Sequence, residues 1–200
     1  MDLDQFKHKS FTELKGIGKQ LDLPMKGITK SKLAEDIITR LLEYENYKKM
    51  VDNKYKKIAS LGKPGKEGTT YHVKYRGRDY AMKTFKSKKS ASNLEKEAKL
   101  LAFGAKACIS PKVKEVNVIF KFIIMDKLDR SLFDLLKDNN GVLDNDIQIQ
   151  LVRIFSILDK IGIFHADPNP LNFMLKGDKL YIIDYDFRKE IDDKLIKKYG

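Results

Sequence analysis

Cysteine is almost missing from this chain of 200 residues: Cys108 stands alone. No internal disulfide can form, so a reducing, intracellular compartment is expected. Long apolar runs are missing too. Those present are short, and Val118-Ile119-Phe120 and Phe122 to Met125, for example, are separated by Lys121. They fall far short of the roughly 18 apolar residues that a membrane span requires, so no membrane partner is expected. The opening Met1-Asp2-Leu3-Asp4 lacks a basic stretch leading into an apolar one, and no secretory leader is expected. There is no internal repeat and no low-complexity tract. What the chain has instead is 42% hydrophobic and 34% charged residues, which fits a folded domain with a real core plus a small appendage and excludes a disordered chain.

The net charge of +12 is unevenly placed. Residues 1–54 carry 11 Lys and Arg against 9 Asp and Glu, and residues 115–200 carry 13 against 15. Residues 55–114 carry 16 against 4, so one stretch holds the whole excess. Such a field favours anionic partners, nucleotide phosphates or nucleic acid among them, although a solvated lysine surface accounts for it equally well.

Two parts are legible along the chain. Residues 1–45 predict a helical hairpin. Ser10 caps its first helix with Glu13 three residues on, Leu14, Ile17 and Leu21 form an apolar face, and Leu23 to Gly27 make a turn. Thr29 caps the second helix, with Leu33, Ile37, Ile38 and Leu41 facing inward. Residues 46–54 continue as a linker helix. From residue 55 the texture becomes strand-like: a glycine-bearing hairpin, then Tyr71 to Tyr75, the turn Arg76-Gly77-Arg78, and Tyr80 to Phe85. A helix over Ser92 to Lys106 precedes strands near Val113 to Val118 and Phe120 to Met125. Helices are expected over Ser131 to Lys137 and Asp144 to Ile161, a hairpin over Phe173 to Ile183, and a last helix over Glu190 to Tyr199.

Four segments carry candidate chemistry. Gly62, Gly65 and Gly68, spaced G-x-x-G-x-x-G before a strand, let backbone approach phosphates closely, although a bare surface hairpin explains them as well. No Gly-Lys-Ser/Thr closes the segment, which excludes a Walker loop. Lys83, between apolar neighbours on a strand, can reach inward to phosphates or stand as an ordinary edge lysine. Glu95 or Glu97 could pair with it, and Glu97 is preferred because Ala98 and Leu101 flank it on an apolar face. The most specific segment runs His165-Ala166-Asp167-Pro168-Asn169-Pro170-Leu171-Asn172, followed twelve residues later by Asp184-Tyr185-Asp186. His165 taken singly reads as a buried histidine fixing a loop.

With these segments in order over about 130 residues, the chain resembles the protein-kinase-like superfamily: H-x-D-x-x-x-x-N, then the metal aspartate placed as in D-F-G. His165-Ala166-Asp167 without a lysine two residues on resembles the RIO-type atypical kinases, whereas Ile182-Ile183 before Asp184, with Asp186 where glycine is usual, resembles the lipopolysaccharide and aminoglycoside or choline kinase branches. The resemblance implies an α+β bilobal fold, with an N-lobe over 55–125 and a C-lobe over 126–200. It implies ATP and Mg2+ as cofactors. Asp167 would handle the hydroxyl proton, Lys83 and Glu97 would form the phosphate-positioning pair, and Asn172 and Asp184 would hold metal. Gly62, Gly65, Gly68, Val73 and Ala81 would enclose the nucleotide, with Met125, Asp126 and Leu128 as hinge and Ile124 guarding the back pocket. Asn169 stands where a lysine usually meets the γ-phosphate. The 16 residues after Asp184 imply a truncated C-lobe, completed by a second copy in a homodimer or by a partner.

Residues 8–44 separately resemble a SAP motif, carried by Phe11 to Lys15, Leu23-Pro24, Gly27, Lys32-Leu33 and Arg40-Leu41. That resemblance implies DNA binding through Lys15, Lys19, Lys26, Lys30 and Lys32, and a plain hairpin packed on the rest is the alternative. Lysine in excess of arginine, beside so reduced a kinase, suggests a large DNA virus as source. Three functions compete: a Ser/Thr protein kinase, a nucleotide-binding scaffold joined to a DNA-binding hairpin, and a small-molecule kinase of choline or sugar type.

Overall fold

The computed structural model describes Phe6, residues 8–185 and residues 188–199. Helix α1 (Phe11–Gln20) opens with both halves of a capping box, Ser10 and Glu13 each satisfying the other's backbone N–H. Thr29 caps α2 (Lys30–Lys54), which runs unbroken for 25 residues, so the expected hairpin helix and linker helix are one element. Its first half closes a small core with α1, built on Leu14, Leu33, Ile37 and Ile38.

The second half of α2 lies against a five-stranded antiparallel sheet. The strands are β1 (Lys56–Ser60), β2 (Gly68–Tyr75), β3 (Arg78–Phe85), β4 (Val113–Asn117) and β5 (Phe122–Asp126), in spatial order β1-β2-β3-β5-β4. Period-two alternation sorts their side chains onto two faces. Val73, Tyr80, Met82, Phe122 and Ile124 turn toward α2, where Tyr55 is wholly buried. Tyr47 stacks on Phe120 with ring centroids 3.8 Å apart and receives a hydrogen bond from the Asn117 amide. Ala81, Phe85, Ile123 and Met125 turn the other way, toward α3 (Ala91–Lys106). Both faces are therefore covered, which is why Phe122 to Met125 is continuously apolar rather than alternating.

Below the sheet, β6 (Arg130–Ser131) leads into α4 (Leu132–Asp138) and α5 (Asn145–Lys160), capped by Asp144. Then come β7 (Ile163–Phe164), a single 3₁₀ turn over Pro170–Asn172, and the hairpin β8 (Phe173–Lys176) and β9 (Lys179–Ile182). The hairpin completes a second sheet in the order β6-β8-β9. Leu132, Ile147, Ile154, Phe173 and Leu180 join Leu94, Leu101 and Ile109 in one continuous core. The molecule is thus α+β and bilobal, a sheet with its helix above a mostly helical part, as in the kinase-like fold.

One expectation fails. Glu190 does not begin the last helix: β10 (Lys189–Glu190) pairs antiparallel with β7, and α6 starts only at Asp193 (Asp193–Tyr199). The Ile191 N–H donating to the Gly162 carbonyl extends this pairing, a contact across nearly thirty residues that no local pattern announces.

Helix α2 is also tied to the sheet edge by Glu115, whose carboxylate accepts from Lys54 Nζ and from Tyr55 Oη. Burial pushes this carboxyl up, but the two hydrogen bonds and the Lys54 charge together hold it below its ordinary value of 4.5. A lowered folded pKa stabilises above the unfolded value, and that stabilisation is lost as pH falls through the folded one. Urea midpoints followed from neutral pH to below 4.5 should therefore fall less steeply for Glu115→Gln than for the parent. At neutral pH the variant should be weaker by about 0.5–1.5 kcal/mol.

Candidate functional site

A cleft of about 1010 Å³ opens between the sheet and the helical part. Its roof is the segment joining β1 to β2. Gly62 adopts φ +76°, a conformation that disfavours side chains, and Gly62, Gly65 and Gly68 all line the cleft. The Gly65 N–H donates to the Gly68 carbonyl at 2.8 Å, and Lys86 anchors the loop through its own N–H to Glu67 O and its ammonium to Gly65 O.

Alternation along β3 aims Ala81 and Lys83 into the cleft. Glu97 sits on the face of α3 that carries Leu94, Ala98 and Leu101, and it has no exposed surface, whereas Glu95 faces solvent. Lys83 Nζ lies 2.7 Å from Glu97 Oε1 and 3.2 Å from Asp184 Oδ2, so one ammonium links sheet, helix and the segment after β9. The preference for Glu97 over Glu95 has its physical reason here: the helix face that packs on the sheet delivers it to the strand lysine.

The floor is the loop from His165 to Asn172. Ala166 holds φ +53°, a left-handed conformation that strains an alanine, and the Asp167 N–H donates back to the His165 carbonyl at 2.7 Å. The Asn172 amide donates to the Asp167 carboxylate at 2.9 Å and to its carbonyl at 3.1 Å. Buried His165 donates from Nε2 to the Asp184 carbonyl, so its role is to tie the loop to the segment bearing Asp184. The Ile183 N–H to the Asn172 carbonyl adds a second tie at 3.0 Å. Beyond Asp184, Tyr185 is buried against His165 and shares a 2.7 Å hydrogen bond with Ser110. Burial pushes its phenol up to about 12, against the opposing influence of that bond.

Of the residues expected to enclose a nucleotide, Met125, Asp126 and Leu128 line the cleft along with the three glycines, Ala81 and Lys83. Val73 and Ile124 do not. Both are fully buried on the opposite face of the sheet, packed with Tyr55 and Met82 beneath α2. The correction follows from period two: Thr70, two residues beyond Gly68, lines the cleft where Val73 was expected, and Met125, one residue past Ile124, reaches it from β5. Leu61, Met174 and Ile183 also line the cleft without having been singled out, and so does Glu67. Asp186, the residue that suggested a small-molecule kinase, lies outside the described residues.

Asp167, Asn172 and Asp184 offer hard oxygen donors on one side of the cleft. Two carboxylates and an amide are too few to cage magnesium alone, but magnesium is commonly held by one or two carboxylates with substrate phosphates completing the shell. The donor set fits that partial role.

This cleft sits inside a recognisable domain. Residues 43–194 match the family model described as RIO domain, well over half of the chain. The chain belongs to the RIO domain family. The match leaves α1 and the first half of α2 outside it and places the rest in a kinase-like fold. Over 90 residues the chain is 30% identical to a probable serine/threonine-protein kinase of Dictyostelium discoideum, covering 41% of this chain and 18% of that protein. Over 73 residues it is 34% identical to serine/threonine-protein kinase SKS1 of Saccharomyces cerevisiae, covering 34% of this chain and 14% of that protein. The chain thus spans less than a fifth of the length of these relatives, and the likeness to them is of kinase type.

Gly68 offers a direct test of the roof. A methyl group there would lie 1.8 Å from the Thr84 carbonyl oxygen, because β2 and β3 meet closely at Gly68 and Phe85. Gly68→Ala should destabilise by about 1–3 kcal/mol through overpacking. Gly16→Ala, in α1 with nothing within 4 Å, should stabilise by about 0.5–1 kcal/mol. Thermal melts of the two single variants should move in opposite directions.

Proposed function

We propose that this RIO domain is an ATP- and Mg2+-dependent phosphotransferase that passes the γ-phosphate to a serine or threonine hydroxyl of a protein. The observation that carries the reading is the ammonium of Lys83, held by buried Glu97 and by Asp184, across the cleft from the Asp167–Asn172 pair. Phosphoryl transfer asks little covalent chemistry of a protein; positioning and charge stabilisation do the work. Magnesium supplies charge neutralisation of the phosphate oxygens when bound. Lys83 neutralises phosphate charge from the sheet side, and backbone N–H groups of the glycine-bearing segment cover the chain of phosphates. Asn172 and Asp184 would hold the cation. Asp167, oriented by the Asn172 amide, accepts the hydroxyl proton or fixes the hydroxyl in line for attack.

Purified protein incubated with Mg-ATP and a generic basic or acidic protein should incorporate labelled phosphate. Lys83→Met and Asp184→Asn should each lower the rate by about 100-fold or more, since each removes a group facing the charge that develops in transfer. Asp167→Ala should do the same by about 100- to 10,000-fold. Transfer that survives all three substitutions would end this assignment.

A second reading is a nucleotide-binding scaffold without turnover. It draws on Asn169, whose side-chain oxygen accepts from the Leu171 N–H at 2.9 Å and shapes the loop turn, where a lysine is usual for the γ-phosphate. Nucleotide binding seen by thermal shift, with no phosphate transfer under any acceptor, would favour it. A nucleic-acid contact through the α1–α2 hairpin is a further proposal, supported by exposed Lys15, Lys19, Lys26 and Lys30. Duplex DNA should be retarded by the protein in a salt-dependent manner. Unchanged DNA mobility at low salt would remove that proposal.

A further inference from the structure

The loop joining β3 to α3 contains a second buried lysine to which the phosphotransferase reading gives no task. Lys89 is only 6% exposed, and its Nζ lies 2.9 Å from Glu97 Oε2, while Lys83 holds Oε1 at 2.7 Å. Lys89 also stands 3.9 Å from Glu67 Oε2 in the glycine-bearing segment. Both ammonium groups sit 5.1 Å from the centroid of the Phe85 ring. The charges alternate in a line: Glu67, Lys89, Glu97, Lys83, Asp184.

We propose that Lys89 is a positioning residue for the nucleotide site: it keeps Glu97 neutralised and α3 seated when the Lys83 ammonium is drawn to an anionic phosphate. The inference rests on the nucleotide-binding reading above. Lys83 alone would face a conflict. Glu97 has no exposed surface, and a buried carboxylate deprived of its cation is strongly disfavoured, so phosphates would have to compete with Glu97 for one ammonium. A second cation on the other carboxylate oxygen relieves that competition. Lys89 then acts through Glu97 and Lys83, without touching the nucleotide, and its reach to Glu67 ties the roof segment to the same cluster.

Titration calorimetry of ATP and of adenosine into the full chain, Lys89→Met and Lys89→Arg tests this. Lys89→Met should weaken ATP about tenfold or more while changing adenosine less than about twofold, and Lys89→Arg should stay within about threefold of the parent for both. In a Lys83→Met background, Lys89→Met should cost ATP no further affinity, because the effect travels through Lys83. Equal losses for ATP and adenosine, or a full ATP loss persisting without Lys83, would overturn the proposal and leave Lys89 a structural or long-range charge. A parent chain that binds no ATP would overturn the nucleotide reading itself, and the proposal with it. Should Lys89→Met fail to fold, Lys89→Gln, which keeps a donor for Glu97 without charge, gives the same comparison.

Discussion

A carboxylate with no exposed surface cannot stay charged without cations, and the placement of Glu97 between Lys83 and Lys89 is the constraint on which the cleft depends. Apolar packing of Leu94, Ala98 and Leu101 seats α3 on the sheet and turns position 97 toward β3. The two ion pairs then neutralise its carboxylate on both oxygens. Because Lys83 is on a strand, its direction is fixed by the pleat, and because it reaches Asp184 at 3.2 Å, the helix, the sheet and the floor of the cleft are located by one ammonium group. Hydrophobic burial assembles the layers, and the Lys83 ammonium ties them together.

The second organising feature is the covering of both sheet faces. A sheet with one wet face would show alternating polarity along every strand, yet Phe122, Ile123, Ile124 and Met125 are all buried. The distal half of α2 supplies the second cover, stacking Tyr47 on Phe120 and burying Tyr55 against Glu115. The RIO domain match begins at residue 43, so this half of α2 belongs with the sheet, whereas its first half closes the core of the hairpin. One continuous helix therefore serves two small cores.

These two features explain what the amino-acid order disclosed and what it did not. Caps are local, and Ser10 with Glu13, Thr29 and Asp144 were readable as helix starts. The loop from His165 to Asn172 and Asp184 twelve residues on are close in sequence, with a hairpin between them that brings them together, so their grouping was legible. Which face of a strand looks into the cleft was not legible where both faces are apolar. Val73 and Ile124 are as apolar as the residues that line the cleft, yet counting two from Gly68 gives Thr70 and two from Ile123 gives Met125. Lys89 is hidden in the sequence for a different reason. In a stretch as rich in lysine as 86 to 99, nothing local separates a buried ammonium from its exposed neighbours; only the tertiary approach of Glu97 does. The pairing of β10 with β7 is hidden in the same way, by sequence distance.

The two sides of the cleft are held together by interactions of unlike strength. Within the floor, His165 to Asp184, Ile183 to Asn172 and Asn172 to Asp167 are hydrogen bonds that involve backbone groups or buried partners. Within the roof, backbone pairing of β2 with β3 runs from Gly68 to Tyr75 without interruption. Between roof and floor, the Lys83–Asp184 contact reaches a carboxylate that is 30% exposed, and water competes for such a pair. The apolar core running from Phe85 through Leu101 and Ile109 to Phe173, together with the Ile182 N–H bonded to the Ile109 carbonyl, opposes separation at the back. Roof and floor are thus joined both by the half-buried Lys83–Asp184 pair and by buried apolar packing with a backbone hydrogen bond behind it.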